Sequence, residues 1–133
     1  MNCPKCADST LLTVLSEEAF PLDFCQKCHG IWFDQGETAK HFTLDSDIPN
    51  LAAAVKTARN TGLSCPRCQG ELQEIKYDDR SDLLLDRCQK CYGLWFDFHE
   101  TEKLLRLVTE QEDPRTRLKR AMQRLKDRGY QAL

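Results

Sequence analysis

The sequence predicts a small α+β chain made of two tandem copies of one cysteine-rich unit, each a short antiparallel β-hairpin followed by α-helices. Three observations carry this. Eight cysteines fall in four Cys-x-x-Cys pairs: Cys3/Cys6, Cys25/Cys28, Cys65/Cys68 and Cys88/Cys91. The second half repeats the first at an offset of 62 residues for the first pair and 63 for the second. CQKCHGIWFDQGETAK (25–40) and CQKCYGLWFDFHETEK (88–103) share 11 of 16 residues. The repeat sets a boundary near Gly62. Unit 1 is residues 1–62, with its knuckle-bearing hairpin in 1–42 and a helix over about 49–60. Unit 2 is residues 63–133, with hairpin and helix in 63–112 and a second helix over about 114–128.

A length of 133 residues suits one ordinary domain or two very small ones. With 41% hydrophobic and 30% charged residues, the composition is globular rather than disordered. No apolar run approaches the roughly 18 residues of a membrane helix. The start, MNCPKCADST, has neither a basic opening nor an apolar core, so no secretory signal is expected and the cytoplasm is the expected location. Thiols stay reduced there, which favours metal ligation over four disulfides.

Within each unit the spacing is C-x2-C-x18-C-x2-C, or x19 in the second copy, a pattern read as a four-thiolate zinc site. Two thiolates on one tight turn span an edge of a tetrahedron, and a second such turn facing it closes the site. Such a site has no open position for water, so two structural zinc ions per chain are expected rather than catalytic ones. Each unit alone is too small for an adequate core, and the zinc supplies the missing folding free energy. Lys5, Lys27, Arg67 and Lys90 inside the knuckles are expected to offset the negative charge of the centres. Gly30 and Gly93 after the second knuckles suit a left-handed backbone. Pairing within each unit closes shorter loops than pairing across units. Rival chemistries fare worse. A redox pair lacks a βαβ context, and the haem-like Cys25-x-x-Cys28-His29 has Tyr92 at the matching place in the second copy. An iron–sulfur cluster is a minor alternative.

Between the knuckles, 11–15 is β-rich, and Phe20, Leu22 and Phe24 alternate with Pro21 and Asp23. Leu83 and Leu85 take the corresponding places in the second copy. Ile31-Trp32-Phe33 and Leu94-Trp95-Phe96 read as third strands, completing two zinc ribbons. Trp32 and Trp95 are expected to pack on the hairpins rather than stand out as stacking platforms. Asp34 and Asp97 are expected to cap a helix, with Glu37 and Glu100 three residues on. His29, His41 and His99 do not recur between copies, so no shared catalytic or second-metal role is expected of them. Asp47 is the expected cap of the helix beginning near Pro49.

These residues resemble a known family. CPKC followed by LDFCQKCHGIWFDQGET, and LDRCQKCYGLWFDFHET in the second copy, are similar to the TFIIB-type zinc ribbon family of small bacterial proteins. Asp23, Trp32, Asp34, Gly36 and Glu37 match its pattern in the first copy; Asp86, Trp95, Asp97 and Glu100 match in the second, where His99 replaces the glycine. Phe33 and Phe96 stand where an aliphatic residue is commoner. The resemblance implies zinc on all eight cysteines and suggests nucleic acid or transcription machinery as the partner.

Charge is uneven. Residues 1–62 carry 5 basic and 8 acidic groups, 63–113 carry 7 and 12, and 114–133 carry 7 and 1. In the last segment Arg115, Arg117, Lys119, Arg120, Arg124, Lys126 and Arg128 surround an apolar stripe of Leu118, Ala121, Met122 and Leu125, a candidate surface for an anionic partner. The expectation is a non-enzymatic zinc-binding interaction module, an adaptor or regulator contacting nucleic acid or the transcription or translation machinery. The alternative is a purely protein–protein adaptor for complex assembly or chaperone-like work, and the helices offer a route to a homodimer. No nucleophile–base set, phosphate loop or open metal site points to an enzyme.

Overall fold

The computed structural model describes residues 1–15, 20–111 and 122–123. The chain runs β1 (Leu12–Leu15), β2 (Pro21–Phe24), β3 (Ile31–Phe33), α1 (Glu37–Phe42), α2 (Leu51–Lys56), β4 (Arg59–Ser64), β5 (Glu71–Lys76), β6 (Leu84–Cys88), β7 (Leu94–Phe96) and α3 (Phe98–Gln111). The α+β class with paired hairpins is as the sequence predicts. Of the terminal helix expected over about 114–128, Met122 and Gln123 are described and helical; all seven of its basic residues lie outside the described residues.

The two hairpins are not separate modules. All seven strands form one sheet in the order β1-β2-β3-β7-β6-β5-β4. The join is the antiparallel pairing of β3 with β7, where Ile31 faces Phe96, Trp32 faces Trp95 and Phe33 faces Leu94. Side chains alternate across a strand and opposed residues share a face, so this register sorts the core into two clusters. On one face Phe33, Phe96 and Leu94 gather with Phe42, Leu85 and Leu104. Phe33 and Phe96 meet edge to face, their centroids 5.1 Å apart. On the other face Trp32 and Trp95 pack with Leu11, Leu72 and the buried cysteines. Both indoles are fully buried, as core packing requires.

Several local expectations are corrected. The helix expected over about 49–60 is only Leu51–Lys56, because the chain enters β4 at Arg59. Gly62, where the repeat sets the boundary, sits inside β4 with φ +74°, at a break in the β4–β5 register. Asp47 caps α1 rather than α2: its carboxylate accepts the backbone N–H groups of Gly36 (2.7 Å) and Ala39 (2.8 Å). Asn50 caps α2, accepting from the Ala53 N–H at 3.2 Å. Phe20 precedes β2 instead of belonging to it, and Asp23 is buried, accepting the Thr13 hydroxyl at 2.9 Å.

Candidate metal centres

The second knuckles place their left-handed residue one position earlier than expected. His29 and Tyr92 both have φ +62°, while Gly30 and Gly93 lie outside the left-handed region. The glycines serve a different need. A Cβ on Gly30 would overlap the Trp95 ring, and one on Gly93 would overlap the Trp32 ring, each time an indole from the opposite unit. Those indoles press the knuckles from beneath.

Around these turns the thiols converge. Cys3, Cys6, Cys25 and Cys28 form one group and Cys65, Cys68, Cys88 and Cys91 the other, with every sulfur in a group within 4.8 Å of its fellows. Pairing is therefore within each unit, as loop length favours. Sulfur–sulfur distances are 3.7 Å for Cys3–Cys28, 3.6 Å for Cys65–Cys91 and 3.3 Å for Cys68–Cys88. A tetrahedron with Zn–S near 2.3 Å has S–S edges of about 3.8 Å. The donor set thus fits zinc in size, number and softness.

Backbone N–H groups support the sulfurs. Lys5 donates to Cys3 (3.4 Å), Arg67 to Cys65 (3.3 Å) and Lys90 to Cys88 (3.3 Å). Ser9 Oγ lies 3.2 Å from Cys25 Sγ. Burial pushes the Cys3 and Cys65 thiols well up. Cys25 is brought down to about 6 against its own burial, by the Cys28 backbone N–H and the Ser9 hydroxyl. Cys68, the exposed member of its group, is brought down to about 7 by the Gly70 backbone N–H. A metal must displace protons from the high members, so occupancy depends on pH.

The knuckle cations do more than offset thiolate charge. Lys5 reaches out of unit 1 to Asp97 (2.7 Å) and Asp86 (3.3 Å) of unit 2. Arg67, its repeat counterpart, reaches from unit 2 to Asp34, and to Asp23 at 3.7 Å. These cations partner the buried Asp23 and Asp86, which sit two residues before Cys25 and Cys88; Asp23 also accepts the Thr13 hydroxyl at 2.9 Å. Asp34 and Asp97 do not cap their helices with their side chains. Each instead accepts an indole N–H: Trp32 Nε1 to Asp34 Oδ1 at 2.9 Å, Trp95 Nε1 to Asp97 Oδ1 at 3.1 Å. The glutamate half of the capping box is present. Glu37 accepts the Asp34 N–H at 3.1 Å and Glu100 the Asp97 N–H at 2.7 Å. Each unit thus holds three carboxylates around the cation of the other. Burial, with Asp97 and Asp86 beside it, raises the Glu100 carboxyl to about 7. Burial raises Asp86 as well, with Lys5 opposing. The cross-unit role of Lys5 and Arg67 was missed from sequence. Its signal was a cation at one repeat position, Lys5 and Arg67, and an aspartate at two others, Asp23 and Asp86, Asp34 and Asp97.

No histidine among the described residues is a member of either four-cysteine group. His29 touches Phe24 (5.5 Å) and Phe98 (6.0 Å) by its ring, and His41 packs on Phe42 and Phe33.

Two hairpins, each closed by a four-thiolate knuckle pair, define a tandem zinc ribbon with two structural zinc ions per chain. In agreement, residues 2–41 and 64–107, well over half of the chain, match the family described as transcription factor zinc-finger, the TFIIB zinc ribbons, and the chain belongs to it. Comparison with curated proteins finds no match, and comparison with solved structures finds none.

Proposed function

We propose that this protein is a non-enzymatic interaction module, an adaptor or regulator that contacts nucleic acid or the transcription or translation machinery, with zinc building the surface and doing no chemistry. The observation that carries the reading is the closure of both centres. All four donors at each are thiolates, leaving no position for water or substrate. With the tryptophans buried, a nucleic acid has no indole platform here, and the body up to Asp113 is acidic. Phosphate contact therefore falls to the basic segment Arg115–Arg128. The thiol-rich centres suit a reducing compartment such as the cytoplasm. No helix among the described residues is long and apolar enough to cross a membrane.

The test is a salt titration of binding to generic DNA and RNA by the zinc-loaded chain and by one ending at Asp113. The expected result is salt-sensitive binding by the full chain alone, with a log–log slope no steeper than about −6 for seven cations on duplex DNA. No binding at low salt by either form overturns the nucleic-acid reading.

One observation favours the protein–protein alternative. β1 is an edge strand whose Leu12, Val14 and Leu15 are all exposed, an available template for strand addition. Partner capture unaffected by salt, lost when Val14 is replaced by lysine, is the result that reading expects.

A further inference from the structure

We propose that the two zinc centres bind metal as one cooperative pair, with Lys5 and Arg67 carrying the coupling between them. The chain of contacts is short and closed. Lys5 sits between Cys3 and Cys6 of the first centre, and its backbone N–H is tied to Cys3 Sγ. Its ammonium binds Asp86, two residues before Cys88 of the second centre, and Asp97. Arg67 sits between Cys65 and Cys68 and is tied to Cys65 Sγ in the same way. Its guanidinium binds Asp23, two residues before Cys25 of the first centre, and Asp34. Each centre therefore holds the cation that the other centre's flank requires.

The chemistry sets the sign. An empty first centre frees the 3–6 knuckle and removes the fixed position of Lys5. Asp86, almost wholly buried, then faces Asp97 and Glu100 without its counter-charge. A strand carrying that repulsion two residues from Cys88 presents its thiolates less well. Zinc at the first centre returns Lys5 and relieves it, and Arg67 does the same in the other direction. Linkage makes the effect reciprocal. The indoles exchanged over Gly30 and Gly93 hold the two flanks in register, so the cations have fixed targets.

The test uses the full chain. Zinc affinity is measured by competition with a chromophoric chelator for the intact protein and for two single-centre variants, Cys65→Ser/Cys88→Ser and Cys3→Ser/Cys25→Ser. Independent centres would make the intact chain's overall constant the product of the two single-centre constants. The expected result is an excess over that product of about ten-fold, within the usual range for coupled sites. Native mass spectrometry at half loading should then show fewer one-zinc chains than the single-centre constants allow. In Lys5→Met/Arg67→Met the excess should fall below about three-fold while both centres still load; in Lys5→Arg it should persist. No excess in the intact protein, or an undiminished excess in the double methionine variant, overturns the proposal. Should that variant load no zinc, Lys5→Met alone decides: a reduced excess supports the bridge, and an unchanged one overturns it.

Discussion

The indole of Trp95 occupies the space that a side chain on Gly30 would need, and Trp32 stands in the same relation to Gly93. Both glycines lie outside the left-handed region, so neither is required for its backbone angle. Gly30→Ala should therefore act by overpacking alone, at a cost of about 1–3 kcal/mol in the zinc-loaded protein. Denaturant unfolding of Gly30→Ala, Trp95→Phe and the pair closes a cycle. The smaller ring leaves room for the methyl, so the alanine should cost less in the Trp95→Phe background. Equal cost in both backgrounds would place the strain elsewhere.

The cross-unit bridge predicts an asymmetry between its partners. Lys5→Met leaves Asp86, Asp97 and Glu100 facing one another, one of them almost fully buried. Asp86→Asn keeps an acceptor for the ammonium and removes a repulsion. Stability should fall by about 1–3 kcal/mol for Lys5→Met and by clearly less for Asp86→Asn, because the first leaves a buried carboxylate without its counter-charge, whereas the second removes that charge and leaves Lys5 paired with Asp97. Equal losses from unfolding curves at one pH would mean that Lys5 contributes packing rather than charge.

The hairpins, the third strands and the pairing of cysteines were legible in the sequence because each rests on a local rule: alternation, knuckle spacing, loop length. Burial of Trp32 and Trp95 followed from their recurrence. What was not legible is whatever one unit does to the other. Nothing local says that Trp32 pairs with Trp95 across a shared sheet, or that Gly30 is small for an indole some sixty residues away in the chain. Asp34 shows why the capping rule fell short. Its spacing to Glu37 is that of a cap, but an indole N–H and a guanidinium from elsewhere outcompete the helix for its carboxylate. Asp47 lost its expected helix for a simpler reason, since α1 folds back within its reach.

Glu100 makes stability depend on pH in a definite direction. Its carboxyl is raised to about 7 in the folded chain, against about 4.3 in an unfolded one. Below the lower value both states are neutral. Between the two, the unfolded chain ionises while the folded chain keeps its proton, so stability falls as pH rises through this window. Glu100→Gln still accepts the Asp97 N–H but does not ionise. Measured with excess zinc from about pH 5.5 to 8, the wild type should lose about 1 kcal/mol relative to Glu100→Gln, a figure discounted for partial exposure. A constant difference across that range would show that the carboxylate is ionised throughout.

Metal removal should dismantle both units together. The two apolar clusters draw on both halves of the chain, and the second is built around the buried Cys3, Cys25, Cys65 and Cys88 themselves. Without zinc, two sets of thiols pack against each other with no ion to satisfy them, and the metal's contribution of on the order of 10–16 kcal/mol per structural site is withdrawn. No core of this size replaces it. Trp32 and Trp95 are fully buried and report the loss directly. A strong chelator should release two zinc ions per chain, shift tryptophan emission to the red and remove most of the far-ultraviolet circular dichroism. Cys25→Ser, which strikes the first centre only, should also perturb Trp95, because that indole rests on Gly30 beside the damaged knuckle. A metal-free chain that kept both tryptophans buried would show that the shared sheet folds on its apolar contacts alone.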